Sequence, residues 1–378
     1  MWGRSWQIGR LAGIDLQVDA SWFFIAALLT WSLAVGVFPD LLPGTGPVAL
    51  ILTAIAAMLG LFASLILHEL SHALVARAYG LRVRSITLFV FGGVAELQAE
   101  PPTPAVEARV ALAGPLASLA IAAIAFVASL LPAPVGTGAV ISAILGYLAV
   151  ANIVLAVFNM LPAFPLDGGR VLRSYFWGRS GDLSRATRQA VGVGKWIAIA
   201  MIALAVAQFL GGAGPIAFWP ILIALFILAA GQSARARTDV VDVLSALSVA
   251  QVMRRDPVVT HPKTSLQDVA DRAMLRHGLS YVPVVENERP VGEIDLATMR
   301  AIDRDLWSST RVNDVFHPFE DTDLIGPEAG ALPLFERMIR EGRRKFPVVR
   351  GGRLIGVVTL SDLLARVRTA RDLAPQDG

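Results

Sequence analysis

Residues 65–75 read LILHELSHALV and place His68, Glu69 and His72 inside one of the most apolar stretches of the chain. On a helix, residues four apart stack one turn above each other, so both imidazoles can reach a single zinc ion. Glu69 lies about 100° around the helix from His68, near enough to take a proton from water held on that ion. Zinc lowers the pKa of such a water towards about 7, which yields a nucleophile able to attack a peptide carbonyl. Ionisable side chains are costly within lipid and are functional there by default. The alternative is a histidine pair hydrogen-bonded across a helix bundle. The chain contains no cysteine, so disulfides and thiolate-ligated metal are excluded, while histidine and carboxylate sites remain.

The elements that must carry these residues follow from composition. Of 378 residues, 55% are hydrophobic, and mean hydropathy is +0.60. The apolar residues fill long windows before about position 232 and thin out afterwards, the pattern of spanning helices followed by a soluble domain. Six spans are expected, near 20–38, 47–78, 108–131, 139–161, 193–211 and 215–231. The N-terminal segment is expected to be an uncleaved first span, since Asp15 and Asp19 directly precede its apolar run. Three connecting loops, FPDLLPGTGP, LPAPVGTGA and LGGAGP, contain no Lys or Arg. The opposite loops carry Arg77, Arg82, Arg84, Arg109, Arg170, Arg173, Arg179, Arg185, Arg188, Lys195, Arg235 and Arg237. This asymmetry predicts a multi-pass protein of the cell membrane with both termini in the cytoplasm. It also accounts for the pI near 9.6 without invoking a nucleic-acid partner, and none is expected.

A third metal ligand is required if the fourth position is to stay open. The segment NMLPAFPLDGGR at 159–170 supplies a candidate. Pro162 and Pro165 end the fourth span. Asp167 then lies just beyond its cytoplasmic end, before Gly168 and Gly169, which permit a sharp turn. His68 lies nine residues, about 13 Å of helix, before Arg77. Opposed helix directions therefore bring His68, His72 and Asp167 to one depth. The alternatives for Asp167 are a helix cap or a pair with Arg170. Asn152 and Asn159 are seven apart on one face of the same span, where they either contact substrate or join helices.

Two segments alternate as strands, IDLQVD at 14–19 and RSITLFVFGGVAEL at 84–97. Bare strand edges are not tolerated in lipid, so the two are expected to pair at the membrane surface or within a protein-lined cavity. An unpartnered interfacial loop is the alternative. Gly92-Gly93 is expected to form a tight turn or bulge. Downstream, YVPVVENERPVGEIDLATM at 281–299 repeats as FPVVRGGRLIGVVTLSDLL at 346–364. Pro283 aligns with Pro347 and Gly292 with Gly356, a constant offset of 64. Each repeat reads helix, strand, helix, two strands, helix.

HExxH in one span and N-x-x-P-x-x-P-L-D-G-G at the end of a later one resemble the site-2 protease family of intramembrane zinc metalloproteases. The resemblance covers the membrane half. It implies one zinc per chain on His68, His72 and Asp167, with Glu69 as general base. It also implies hydrolysis of a peptide bond in or near a substrate's transmembrane segment, close to the cytoplasmic face. Anti-sigma factors and other single-span regulators are the substrates it suggests. Asn159 occupies the motif's asparagine position, and with Asn152 is a candidate to hold substrate or stabilise an oxyanion. The loops leave no room for the PDZ domain that many relatives carry.

The repeats resemble a pair of CBS domains. In the second, Thr359 and Asp362 match the positions that hold the ribose of an adenine nucleotide. The first has Asp295 and Thr298 instead, in swapped order. The alternative is that the pair only packs as a disc and mediates a homodimer through these domains. The expected organisation is a metalloprotease domain of about six spans with a small membrane-surface β element (1–232), a linker (233–246), cytoplasmic α/β CBS domains (247–306 and 307–370) and a disordered tail (371–378). The partners are then membrane lipid, a transmembrane protein substrate and an adenine nucleotide. Two rival functions are a CBS-regulated transporter and an inactive scaffold. A transporter would show repeated, interrupted spans with midplane charges. Here the polar residues within the spans concentrate in a single constellation, and the complete set His68, Glu69, His72 and Asp167 argues against a scaffold.

Overall fold

The computed structural model describes residues 5–89, 92–97, 100–131, 137–212 and 218–373. It divides into two compact units, 1–235 and 236–378.

The first unit opens with a hairpin, β1 (Ser5–Leu11) and β2 (Ile14–Asp19), turned by Ala12 and Gly13, both at positive φ. Asp19 ends β2 and caps α1 (Ala20–Gly36) by accepting a hydrogen bond from the Ser21 amide at 2.9 Å. A short turn of helix, α2 (Phe38–Leu41), precedes α3 (Pro47–Ala78), which starts on a proline and runs for 32 residues. Its length, about 48 Å, exceeds the roughly 30 Å of a hydrocarbon core. Strands β3 (Val83–Phe89) and β4 (Gly92–Leu97) follow. Four more long helices complete the bundle: α4 (Pro104–Ser129), α5 (Thr137–Asn159), α7 (Leu183–Leu210) and α8 (Trp219–Ser245), with the amphipathic α6 (Asp167–Ser180) between α5 and α7. Among the described residues, α3, α4, α5, α7 and α8 are long and apolar enough to cross a membrane, and α1 is a shorter apolar helix of 17 residues. This is a multi-pass membrane protein.

The two alternating segments pair as expected. The sheet order is β1-β2-β3-β4, with β2 and β3 parallel in the register Asp15↔Ser85 to Val18↔Leu88. Parallel neighbours require a long crossover, which α1 to α3 supply. Ile14 and Ile86 of the sheet bury against Leu70 and Ala73 of α3, so the sheet lies on the helix turn that carries the histidines. Gly92 and Gly93 are not the turn itself. They lie within β4, paired with Phe89 and Leu88, while residues 90–91 fall outside the described set.

Two further elements depart from expectation. The helix of the fifth span begins at Leu183, ten residues ahead of the expected apolar stretch, because Asp182 caps it through the Arg185 amide at 3.0 Å. Helix α6 was not anticipated: its mean composition is polar and only one face packs. The segment 233–246, expected as a linker, is helical through Ser245 as the continuation of α8, and the boundary between the two units at 235–236 falls within it.

The second unit contains α9 (Val249–Val252), β5 (Arg254–Arg255), α10 (Leu266–Asp268, whose turns continue through Leu275), β6 (Tyr281–Glu286), β7 (Arg289–Asp295) and α11 (Leu296–Arg300). Then come β8 (His317–Pro318), α12 (Ala331–Glu341), β9 (Lys345–Arg350), β10 (Arg353–Thr359) and α13 (Leu360–Leu373). Helix α13 takes in residues 371–373 of the tail expected to be disordered, and 374–378 lie outside the described residues. The first strand expected in each repeat is reduced to one bridge, Thr260↔Val284 and Ile325↔Val348.

The repeats also exchange strands. The sheets are β5-β10-β9 and β6-β7-β8, so each takes its short edge strand from the other half. The cores follow: Val249 and Val252 pack with Leu334, Phe346 and Val358, whereas Val312 packs with Val282 and Ile294. Arg343 joins the halves through Glu293 at 2.9 Å and an ion pair to Asp323, with its guanidinium over the Phe346 ring at 5.3 Å.

Candidate active site

Helix α3 presents His68 and His72 on one face, and α4 fixes their orientation. A carbonyl can only accept, so the 2.6 Å contact from His72 Nδ1 to the Val110 carbonyl places the proton on Nδ1. His68 Nδ1 lies 2.8 Å from Ser118 Oγ. Both Nε2 atoms therefore turn away from α4 towards Asp167. Each is 3.2 Å from Asp167 Oδ2, and they are 3.2 Å from one another. All three side chains are buried.

This donor set fits a metal ion. The lone pair of His72 Nε2 and a carboxylate oxygen converge where two acceptors alone would repel, and a cation resolves the conflict. Ligands held at 2.0–2.1 Å around a tetrahedral zinc lie about 3.3 Å from one another, close to the spacing found here. Among the described residues, His68, His72 and Asp167 form the group able to hold such an ion.

Asp167 reaches the histidines because α6 starts on it. Gly168 and Gly169 serve close approach rather than a turn. A Cβ on Gly168 would collide with the Met160 and Leu161 carbonyls, and one on Gly169 would come within 2.6 Å of the Ala163–Phe164 backbone. Buried Arg173 then ties α6 to α4, donating through Nε to Glu107 at 2.6 Å and through Nη2 to Glu100 at 3.3 Å. The expected alternative for Asp167, a pair with Arg170, is not formed.

Glu69 faces a cavity of about 310 Å³ with Asn159, Asp167, Arg170, Phe89 and Gly93 in its wall. Gly93 makes the strand fit: a Cβ there would lie 2.6 Å from Glu69 Cγ. Asn159 Nδ2 donates to the Leu155 carbonyl at 3.0 Å, leaving its side-chain oxygen and second N–H for another partner. Asn152 is elsewhere. It is fully buried and donates to Ser64 Oγ at 3.1 Å and to the Leu148 carbonyl at 2.9 Å, joining α3 to α5. Val110, Gly114 and Ser118 were missed by sequence reasoning. Their signal was a four-residue spacing with small residues at 114 and 118, the pattern that lets helices approach closely.

In the second unit, Asp362 Oδ2 accepts from the Thr359 hydroxyl at 2.7 Å and the Thr359 amide at 3.1 Å, while Oδ1 accepts from Arg254 Nε at 2.7 Å. The swapped pair in the first repeat builds the same unit. Asp295 Oδ1 accepts from the Thr298 hydroxyl at 2.9 Å and its amide at 2.8 Å. Burial acts to raise the Asp295 pKa but is outweighed by these bonds, so the carboxyl sits below its ordinary value.

A membrane-embedded helix bundle holding two histidines and an aspartate around one point, with a glutamate beside them, defines a membrane zinc metallopeptidase. Comparison with known proteins agrees. Residues 56–140 and 133–204 match the model of peptidase family M50, and 249–301 and 324–369 match the CBS domain. A Mycobacterium tuberculosis protein named zinc metalloprotease Rip3 is 34% identical over 371 residues, covering 98% of this chain and 94% of its own. A zinc metalloprotease of Methanocaldococcus jannaschii is 31% identical over 307 residues, covering 80% and 82%. The solved site-2 protease from Methanocaldococcus jannaschii has a TM-score of 0.45 at 25% identity, over 61% of this chain and 95% of its own. The chain belongs to peptidase family M50, the site-2 proteases, and carries a tandem CBS pair.

Proposed function

We propose that this protein cleaves a peptide bond in or beside the transmembrane segment of a membrane protein, near the cytoplasmic face, as a step of regulated intramembrane proteolysis. The observation that carries the reading is the His68–His72–Asp167 cluster, with Glu69 on the same cavity, inside a bundle of apolar helices. His68, His72 and Asp167 would hold one zinc ion, which supplies Lewis acidity to water and to the scissile carbonyl. Glu69 takes a proton from the attacking water and passes it to the departing amide nitrogen as the C–N bond breaks. Asn159 offers its amide to the substrate backbone.

A helical substrate hides its carbonyls, so its cleaved segment must unwind. Among the described residues β4 pairs only with β3, and Gly92 and Gly93 of β4 line the cavity. An unwound segment adding to that edge would pass Glu69 in extended form. The loop charges favour cytoplasmic termini and a cell-membrane location. Single-span regulators such as anti-sigma factors are the substrate class this reading favours.

The CBS pair is the regulatory element, with an adenine nucleotide as its ligand and a second copy of the chain as the partner for its disc. Thr359 and Asp362 would hold the ribose, and Arg254 must then leave Asp362. A nucleotide shifts the protein only as far as it prefers one arrangement over another.

The test uses purified protein in vesicles with a panel of single-span reporter proteins, fragments being mapped by mass spectrometry. Cleavage within or beside the reporter span, lost in Glu69→Gln and on chelation but restored by zinc, is the expected result. Cleavage confined to soluble segments would overturn the reading.

A further inference from the structure

Arg170 is the only arginine or lysine among the described residues lining the catalytic cavity. It lies one turn of α6 beyond Asp167 and is half-buried. Its guanidinium makes no side-chain hydrogen bond and no ion pair among the described residues. Glu69 shares the cavity wall and feels the charge of Arg170, but no hydrogen bond or ion pair joins the two among the described residues. The other nearby anions have direct partners. Asp167 faces the two histidines, and Glu107 and Glu100 are held by Arg173. The guanidinium therefore keeps its N–H donors free of protein acceptors on the cavity wall, where an anion formed in the cavity can take them.

Peptide hydrolysis creates such an anion. When water adds to the carbonyl carbon, the C=O π pair moves onto oxygen. When the C–N bond breaks, the C=O bond re-forms and the product keeps a carboxylate. We infer that Arg170 binds the oxyanion of the scissile carbonyl and then the carboxylate of the product, which rests on the proteolytic reading above. Asn159 is less suited to this task, since one of its N–H groups is spent on Leu155. A guanidinium presents two parallel donors to a carboxylate or a tetrahedral anion, which lysine does not.

The experiment compares wild type, Arg170→Gln and Arg170→Lys, each loaded with zinc in detergent. Zinc stoichiometry and affinity are measured first. Binding of a peptidyl phosphinate, a tetrahedral anion, is then compared with binding of the uncharged peptide amide of the same sequence. Unchanged zinc affinity is expected, with phosphinate affinity about 10²-fold weaker in Arg170→Gln and partly recovered in Arg170→Lys. Amide binding should not move. On any reporter that the wild type cleaves, kcat should fall about 10²- to 10³-fold with KM little changed. Equal loss of phosphinate and amide binding, or weakened zinc binding, would make Arg170 a structural support for Asp167 and overturn the inference. So would wild-type phosphinate affinity in Arg170→Gln. The phosphinate comparison needs no cleaved substrate, so failure of the proteolytic reading and failure of this assignment give different results.

Discussion

Gly114 gives the sharpest test of the metal geometry. It sits on α4 midway between Val110 and Ser118, the two residues that orient the histidines. A methyl group placed there would collide first with His72 Nε2, and would stand 2.5 Å from His68 Nε2 and 2.6 Å from His72 Cε1, against 3.4 Å for ordinary contact. Relief therefore requires a displacement of about 0.9 Å for His68, from the difference of 3.4 and 2.5 Å, and more for His72. Metal sites tolerate ligand-distance errors of about 0.2 Å, so the imidazoles cannot yield that much and keep the ion. Loss of an orienting partner alone costs about 10- to 100-fold in metal affinity. Gly114→Ala pushes the ligands themselves and should cost about 100-fold or more, about 2.8 kcal/mol. Zinc affinity would be measured by competition with a chromophoric chelator on detergent-purified protein. Gly146→Ala serves as the control, because a Cβ on that α5 glycine meets nothing within 4 Å. Wild-type zinc affinity in a folded Gly114→Ala protein would refute the assignment of this cluster as the metal site.

Ser118→Ala removes the partner of His68 Nδ1 and should weaken zinc binding about 10- to 100-fold while leaving the helical content by circular dichroism unchanged. Gly93→Ala brings a Cβ to 2.6 Å from Glu69 Cγ, so reporter cleavage should be lost while zinc remains bound at one per chain; intact cleavage would show that β4 does not border the reaction. Arg343→Ala should lower the stability of the CBS pair by about 2 kcal/mol in denaturant unfolding, since it removes charge-assisted bonds to Glu293 and Asp323 and a ring contact with Phe346. Asp295 has a folded pKa below its ordinary 3.8, so its cap stabilises α11 above that value and the contribution disappears as pH falls through the depressed one. Amide exchange of 296–300, corrected for intrinsic rates, should accelerate over that acid range in the wild type and show a smaller change in Asp295→Asn.

Much of the site was legible in the sequence because its signals are local. A four-residue spacing on one helix fixes His68 and His72 on one face, and the prolines before Asp167 mark the end of a span. The apolar windows and one-sided arginines gave the membrane half for the same reason, as each window must satisfy its own backbone. The 64-residue repeat was equally plain. What stayed hidden depends on partners distant in sequence. Asn152 and Asn159 share a face and a residue type, yet one is buried against Ser64 and the other borders the cavity. Gly93 reads as a turn residue until Glu69 is set beside it. The repeats look self-contained, and only the folded chain shows β5 and β8 exchanged between them. Sequence by itself determined which residues could bind the metal and which segments could cross the lipid, because periodicity and hydropathy act within one element. Tertiary structure alone decided what orients the ligands, what lines the cavity and which arginine reaches it, because those depend on which helix faces lie within a few ångströms of one another.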